Sequence, residues 1–284
     1  MGLSAETPTD GSRVIKKVLF LTCVILAIAL YLPVIRGLAS QWMSDPNYRH
    51  GLLIPLISGL IIWRDRDSLS GSYKNTGNLY GLFLIVIAAG LLITGTAASE
   101  LFTTRISIPL MIFGTTLYLR GRGFAGKIAF PILFLLMMVP LPYIIYFKMT
   151  FPMQILSARL SSVILRTIGV SVIRKGNILM LPGYTLEVVA ACSGLRSLMT
   201  MITLSMVFAY FSSLGKTKKI ILVACSVPVA IAANMIRLVV TALGAYTVGA
   251  GFADGPLHEI SGLIVFLAGL LLLMLCAGVL KWIK

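Results

Sequence analysis

Charged side chains are scarce in this chain, and their scarcity excludes a soluble globular protein. Asp, Glu, Lys and Arg make up 12% of its 284 residues and hydrophobic residues make up 58%, whereas a soluble domain is about 25% charged. Apolar runs of roughly 18 or more residues, long enough to cross a bilayer, recur along nearly the whole sequence. We therefore expect residues 1–284 to form one all-α, polytopic membrane domain, because a spanning backbone must satisfy its own hydrogen bonds.

Cysteine is also rare, and its spacing argues against disulfides and metals. The four cysteines, Cys23, Cys192, Cys225 and Cys276, include no CxxC pair, so we expect no disulfide framework, no metal site and no cofactor. All but Cys192 lie well inside apolar runs, where a thiol usually packs as a small hydrophobic group. No small-residue cleavage site follows the first apolar run, so we expect that run to remain as a helix.

The apolar runs predict about eight transmembrane helices. The second run is short, so a tilted or re-entrant segment is an alternative there. Pro140 and Pro142 fall near the end of the fifth run and are expected to kink or end it. In chain order the predicted spans cover residues 18–35, 51–63, 79–98, 101–119, 128–146, 189–211, 220–243 and 258–280.

Residues 148–188 differ from the other segments and are expected on the non-cytoplasmic side. The stretch 151–173 is apolar but carries Arg159 and Arg166, seven residues apart and so on one helical face. That pattern is typical of an amphipathic helix in the membrane interface. The Pro182-Gly183 pair then predicts an extended or hairpin element outside the membrane. If 151–173 crosses the bilayer instead, every later span is inverted.

The net charge of +15 predicts membrane topology rather than nucleic-acid binding. With eight spans and both termini in the cytoplasm, most basic clusters fall on the cytoplasmic side, as membrane proteins require. The opposite loops hold fewer basic residues, namely Arg36, Arg49 and Arg105. The lipid bilayer is therefore the expected partner. The cytoplasmic clusters lie at 13–17, 64–74, 120–127, 216–219 and 281–284.

Three residues suited to chemistry converge on the non-cytoplasmic rim. Cys192 lies in the first turns of the predicted sixth span, Arg237 near the outer end of the seventh, and His258 at the start of the eighth. A helix start and a nearby cation lower the pKa of a thiol, and the thiolate is the nucleophile. His258 can transfer protons, and the Arg237 fork can hold an oxyanion. The set is suited to acyl transfer on a peptide.

Structural roles for these residues are the alternative. A lone cysteine in a membrane helix usually packs, Arg237 could reach the headgroups, and His258 could cap a helix. Gly194 could let helices approach closely, and Asn234 could hydrogen-bond between helices.

With these residues in this order, the chain resembles the exosortase/archaeosortase group of membrane transpeptidases over nearly its whole length. The strongest part is the sequence ACSGLRS at 191–197, followed by NMIR at 234–237 and by 255–262, which contains His258. The stretch 42–63 also resembles the N-terminal half of exosortases, with Trp42, Asp45-Pro46, Tyr48, His50-Gly51 and Pro55.

The resemblance implies that Cys192 is the nucleophile, with Arg237 and His258 as its partners. It implies a bacterial inner-membrane enzyme whose site faces the non-cytoplasmic side. Its substrates would be exported proteins with a C-terminal Pro-Glu-Pro signal, a transmembrane helix and a basic tail. They would be cut through a thioester and passed to a surface or exopolysaccharide acceptor. Ala190 is a departure, because many members carry an acidic residue there.

Substrate binding is expected to involve basic residues near the same rim. The acidic side chain of the signal would meet Arg196 or the Arg174–Lys175 pair. His50, which starts the second span, is a further candidate, with a structural role as its alternative.

Two other function classes remain open. In a transporter or lipid-linked glycan carrier, Arg237 and Asn234 would line a pathway and Cys192 would be inert. Transporters often show internal repeats and ionisable residues at the midplane, whereas no repeat is evident here and the candidates cluster at one rim. A non-catalytic scaffold would tolerate the loss of each candidate in turn.

Overall fold

The computed structural model describes residues 10–70, 78–189, 194–249, 251–254 and 256–282. Within these ranges, the side chains at 10–17, 19, 20, 23, 70, 253, 254 and 256–259 are outside the description. The described part is mostly helical, as the composition predicts. The chain divides into two compact units, Met1–Pro140 and Leu141–Lys284. The expectation that residues 1–284 act as one domain stays a prediction.

In the first unit, helix α1 (Asp10–Ser44) extends well beyond the predicted first span. Its C-terminal half stays helical because it packs inside the unit. Leu38 is almost completely buried, and the Trp42 indole N–H donates a hydrogen bond to the Met138 carbonyl at 2.9 Å. The first span is predicted to end at residue 35, and the structure corrects the end of this helix to Ser44.

A 3-10 turn (Arg49–Leu52) leads into α2 (Leu53–Arg64), which is followed by the short α3 (Arg66–Ser70). Helix α2 has 12 residues, about 18 Å at 1.5 Å per residue, which is too short to cross a bilayer core of roughly 30 Å unaided.

Helices α4 (Leu79–Ala97) and α5 (Leu101–Lys127) form a tightly packed hairpin, and both begin where the third and fourth spans are predicted. Glu100 caps α5, because its carboxylate accepts the main-chain N–H groups of Phe102 at 3.1 Å and Thr103 at 2.6 Å. The helices approach closely at Gly95, where a Cβ atom would lie 2.7 Å from the Thr104 nitrogen.

The predicted fifth span, 128–146, is not one helix, and that prediction is wrong. Helix α5 is broken at Gly121 (φ 78°), and the chain then bends by 95° into α6 (Ala129–Phe134) and a 3-10 turn (Leu135–Met138). Helical structure stops before Pro140 because prolines at 140 and 142 lack the N–H donor that a helix needs.

In the second unit, α7 (Tyr143–Thr167) contains most of the predicted amphipathic segment. Its buried face carries the small side chains Ser157, Ala158 and Ser161, whereas Arg159 and Arg166 are exposed. Both arginines are thus on the exposed side of the helix, but that side also carries apolar residues such as Leu156 and Val163. The amphipathic character of the segment and its location in or on the membrane stay predictions.

A three-stranded antiparallel sheet follows, in the order β1 (Ile173–Lys175), β2 (Ile178–Leu181) and β3 (Tyr184–Glu187). It occupies the stretch where an extended or hairpin element is expected, and Gly183 (φ 78°) lies in the turn between β2 and β3. Leu179 and Leu186 are buried in a core that includes residues of α7. The non-cytoplasmic location of this sheet stays a prediction.

Helices α8 (Leu195–Phe211), α9 (Lys216–Thr247), α10 (Gly251–Asp254) and α11 (Pro256–Trp282) complete the unit. Helix α9 packs against α7, α8 and α11. Helix α8 begins six residues later than predicted, because Gly194 at its start has a left-handed φ of 87° that ends regular helix. The prediction that Cys192 lies within the first turns of this helix falls on residues 190–193, which are outside the described residues.

Among the described residues, four helices are long and apolar enough to cross a membrane. If the bent pair Leu101–Lys127 and Ala129–Met138 counts as one span, the number of candidate spans is five. The predicted number of eight is not confirmed. Helices α2 and α8, with 12 and 17 residues, are shorter than an ordinary span. The four helices include the segments Val24–Ser44, Leu79–Ala97, Lys216–Thr247 and Ile260–Trp282.

Candidate functional site

Helix α9 carries Arg237, one of the three predicted catalytic residues, together with Asn234. Asn234 is 3% exposed, and Arg237, three residues later, is partly buried. A separation of three places both on one face of the helix. This face contacts the start of α8 and the first part of α11.

The start of α8 lies directly against Asn234. A Cβ atom at Gly194 would be 2.7 Å from Cγ and 2.8 Å from Nδ2 of the Asn234 side chain, closer than nonbonded atoms can approach. The left-handed backbone at Gly194 also favours glycine. The expected close approach at Gly194 is confirmed.

The same side chain links α9 to α7. Asn234 Nδ2 donates a hydrogen bond to Ser157 Oγ at 3.3 Å, and both residues are buried. The expectation that Asn234 bonds between helices is therefore confirmed. Ser161, one turn further along α7, is completely buried, and its hydroxyl has no hydrogen-bond partner in the described part of the chain.

Arg237 contacts α11 at a glycine. A Cβ atom at Gly262 would be 3.1 Å from Nε and 3.5 Å from Cζ of Arg237, so the guanidinium group lies along the α11 backbone at a position without a side chain. His258 belongs to α11 one turn before Gly262, but its side chain is outside the described residues.

Cys192 falls within residues 190–193, which are outside the described residues. The residues before that stretch are held by a pair of hydrogen bonds. The Val188 N–H donates to the Asn177 carbonyl at 2.9 Å, and Asn177 Nδ2 donates to the Val188 carbonyl at 3.2 Å. The residue after the stretch, Gly194, is held by Asn234. Two peptide units separate 192 from 194, which limits their Cα distance to about 7.6 Å.

The basic residues expected to bind substrate lie in the second unit. Arg196 is exposed in the first turn of α8, and Lys175 is exposed in β1. Arg174 is partly buried and donates from Nη1 to the Gly176 carbonyl at 2.8 Å. Neighbouring strand residues point to opposite faces, so Arg174 and Lys175 form two separate cations rather than one patch.

His50 lies in the first unit, in the 3-10 turn before α2. Burial lowers the pKa of His50 below its ordinary value, and hydrogen bonds to the main chain of Asn47 and Met137 oppose this only in part. The imidazole is therefore neutral at pH 7. These contacts give His50 a local structural role, and its role in substrate binding stays a prediction.

Three residues that contact the candidate site or the segment before Cys192 are not predicted from the sequence to do so, namely Ser157, Asn177 and Gly262. A signal existed for Ser157, since serines at 157 and 161 recur at helical spacing in an apolar stretch and small polar residues mark helix contacts. For Gly262, the spacing of four from His258 places both on one face. For Asn177, no local pattern indicates that its side chain reaches Val188.

Of the three predicted catalytic residues, the described part of the chain includes the side chain of Arg237. The described geometry therefore bears on acyl transfer through Arg237 and through the residues that contact the neighbouring segments. Helix α9 provides one arginine and one asparagine on the same face, between the start of α8 and the first turns of α11. A guanidinium group there offers a fixed fork of donors to an oxyanion. No group of His, Cys, Asp or Glu that could hold a metal ion is found among the described residues.

Comparison with protein families gives one match. The model of the transmembrane exosortase family matches residues 42–275, a region that includes residues of both units and the positions 192, 237 and 258. Comparison with curated proteins gives no match, and comparison with solved structures gives none.

Proposed function

Because the chain belongs to the transmembrane exosortase family, we propose that it is a membrane cysteine protease and transpeptidase that cleaves C-terminal Pro-Glu-Pro-type sorting signals. Family membership makes it a multi-pass membrane protein with a transpeptidase-type role. The proposal adds the substrates, which are exported proteins with a transmembrane helix and a basic tail after the signal. It also adds a surface or exopolysaccharide acceptor, and an inner-membrane site that faces the non-cytoplasmic side.

The observation that supports this proposal best is the pair of contacts made by one face of α9. Asn234 touches Gly194, which is two residues after Cys192, and Arg237 touches Gly262, which is one turn after His258. Two segments far apart in sequence, the start of α8 and the first part of α11, therefore both contact this face of α9. This is the arrangement that a Cys192–Arg237–His258 site requires.

In the proposed first half-reaction, the Cys192 thiolate attacks the scissile carbonyl carbon. The carbonyl electron pair moves to oxygen, and Arg237 donates hydrogen bonds to that oxyanion. When the tetrahedral intermediate collapses, the C–N bond breaks and His258 gives a proton to the leaving amine. The exported protein is then held as a thioester, and the transmembrane helix with its tail is released.

In the second half-reaction, His258 takes a proton from the acceptor nucleophile, which attacks the thioester carbonyl. The intermediate passes its electron pair back to carbon as the C–S bond breaks. The thiolate is regenerated, and the exported protein is joined to the acceptor. Water as the acceptor would give simple hydrolysis.

Recognition of the acidic signal is proposed to use exposed cations near the site. Arg196 is exposed and follows Gly194 by two residues, so it is the cation of this set nearest in sequence to Cys192. Lys175 is exposed and offers a second charge.

The test is the size shift of a Pro-Glu-Pro-tailed substrate that is co-expressed with the protein. Cys192→Ala should abolish processing while the protein stays in the membrane. Arg237→Lys should reduce the rate roughly 10²-fold or more, because an ammonium group lacks the guanidinium fork. His258→Ala should have a similarly large effect.

Two other cysteines provide matched controls. Cys225 and Cys276 are free thiols and partly buried, and Cys276 packs against a hydrophobic core, so their replacement by alanine should leave processing unchanged. Full processing by the Cys192→Ala protein would contradict the enzyme proposal and favour the transporter.

A further inference from the structure

The first unit contains a cleft that the proposed chemistry does not use. It has a volume of about 270 Å³ and lies between the C-terminal half of α1, the end of α4 and the start of α5. Its walls include Pro33, Gly37, Ser99, Leu101, Thr104 and Arg105.

Arg105 is the unusual part of this wall. It lies in the second turn of α5, near the start of the predicted fourth span, and it is 4% exposed. Its Nη1 atom donates a hydrogen bond to Gln41 Oε1 at 2.5 Å. Within the described part of the chain, Gln41 is the hydrogen-bond partner of the Arg105 guanidinium group. A guanidinium has five donors and is always charged, so most of its donor capacity remains for a ligand.

The charge on Arg105 is balanced only from a distance. Glu100 attracts Arg105 electrostatically, but the Glu100 carboxylate accepts hydrogen bonds from the first turn of α5. Burying an arginine with incomplete compensation is costly, and ionisable residues inside spans mark binding sites by default. The cleft therefore favours an anionic group against Arg105. Glu100, which falls in sequence between the lining residues Ser99 and Leu101 and attracts Arg105 electrostatically, disfavours a ligand with excess negative charge.

The position of the cleft favours an amphiphilic ligand, with a polar headgroup and apolar chains. Two walls of the cleft are the end of the candidate span Leu79–Ala97 and the start of α5, and the ends of spans lie where lipid headgroups meet the hydrocarbon core. Large apolar side chains beside it, Leu32, Ile35 and Leu101, are exposed and offer a surface to acyl chains. Phosphate matches the planar donor fork of arginine.

We propose that this cleft binds the headgroup of a zwitterionic phospholipid, with its phosphodiester against Arg105 and its ammonium group toward Glu100. The bound lipid supplies one negative charge to the buried guanidinium and one positive charge to the carboxylate. Neither charge is then left without a partner.

The test is native mass spectrometry of the full-length protein in detergent, titrated with dioleoylphosphatidylethanolamine, dioleoylphosphatidylglycerol or inorganic phosphate. The wild-type protein should retain one phosphatidylethanolamine, in preference to phosphatidylglycerol. Arg105→Gln should weaken that binding about tenfold or more, because it removes the charged donor. Arg36→Gln removes an exposed arginine of α1 and should have no effect.

A second variant keeps the proposal testable if Arg105→Gln does not fold. Gly37 lines the cleft, and a Cβ atom there meets no other atom within 4 Å, so Gly37→Leu should fill the cleft without a clash and displace the lipid. Gly90→Leu is its control, because Gly90 has the same open surroundings and does not line the cleft. Equal retention of lipid by Gly37→Leu and Gly90→Leu would overturn the proposal. Preference for phosphatidylglycerol would overturn it too, as would saturation by inorganic phosphate alone.

Discussion

Gly194 lies against the carboxamide of Asn234 so closely that a Cβ atom at residue 194 would be 2.7 Å from Asn234 Cγ. The first prediction follows from this contact. Gly194→Ala should lower the unfolding temperature of the detergent-purified protein and abolish substrate processing, because alanine adds both a clash and an unfavourable left-handed backbone, worth roughly 1–2 kcal/mol by itself.

Gly169→Ala separates these two effects. Gly169 has a nearly identical φ of 88°, but a Cβ atom there meets nothing within 4 Å. It should therefore show the backbone penalty alone and keep processing. If both alanine variants lose processing equally, the contact with Asn234 is not the cause.

Ser157→Ala should destabilise the protein by about 1–3 kcal/mol, because the buried Asn234 side chain loses a hydrogen-bond acceptor. Ser161→Ala is the matched control on the same helix. Its hydroxyl is buried with no hydrogen-bond partner in the described part of the chain, so its removal should be neutral or slightly stabilising. Thermal unfolding of both variants measures the difference, and a larger loss for Ser161→Ala would contradict the assignment.

Local signals explain which parts of the fold the sequence predicts well. Helices α4 and α5 begin at the predicted residues because Asn78 and Glu100 are side-chain caps placed directly before apolar runs. The start of α8 is predicted too early because residues 189–192 are apolar, whereas the described helix begins after Gly194, whose left-handed backbone the sequence alone does not show.

Long-range contacts explain the remaining differences. Residues 36–44 at the end of α1 look polar in sequence, yet Gln41 pairs with Arg105 and Trp42 with the Met138 carbonyl. No local pattern shows either contact. The same holds in the candidate site. Asn234 is visible as a polar residue in an apolar run, and the serine spacing marks Ser157 as a helix-contact residue, but only the structure shows that the two are partners.

The topology prediction places β1 outside the cytoplasm and residues 78 and 213 inside. In a variant without other reactive cysteines, Lys175→Cys should react with a membrane-impermeant thiol reagent in intact cells. Lys175 is suitable because it is exposed in β1. Asn78→Cys and Ser213→Cys should react only after permeabilisation, and the reverse pattern would invert the topology.

The cap at Glu100 predicts a pH dependence of stability. Hydrogen bonds from Thr103 lower the pKa of Glu100, with smaller contributions from Phe102 and Arg105. A depressed pKa in the folded state stabilises the protein above the unfolded-state value of about 4.3, and this stabilisation is lost as the pH falls through the folded-state pKa. The difference in unfolding temperature between wild type and Glu100→Gln should thus be constant near pH 7 and shrink below about pH 4. Parallel curves down to pH 3 would show that the charge of Glu100 does not matter.

The contact between Arg237 and Gly262 predicts a variant that gains stability and loses activity. Gly262→Ala places a Cβ atom 3.1 Å from Arg237 Nε, so the guanidinium must shift by a few tenths of an ångström. Small displacements of a group that holds the oxyanion slow the reaction, and we expect processing to fall roughly tenfold. Alanine is a better helix former than glycine by about 0.5–1 kcal/mol, so the unfolding temperature should stay the same or rise. Gly278→Ala in the same helix has no atom within 4 Å of its Cβ position and should gain stability without losing processing. Equal processing by the two variants would show that Arg237 does not act from its position beside Gly262.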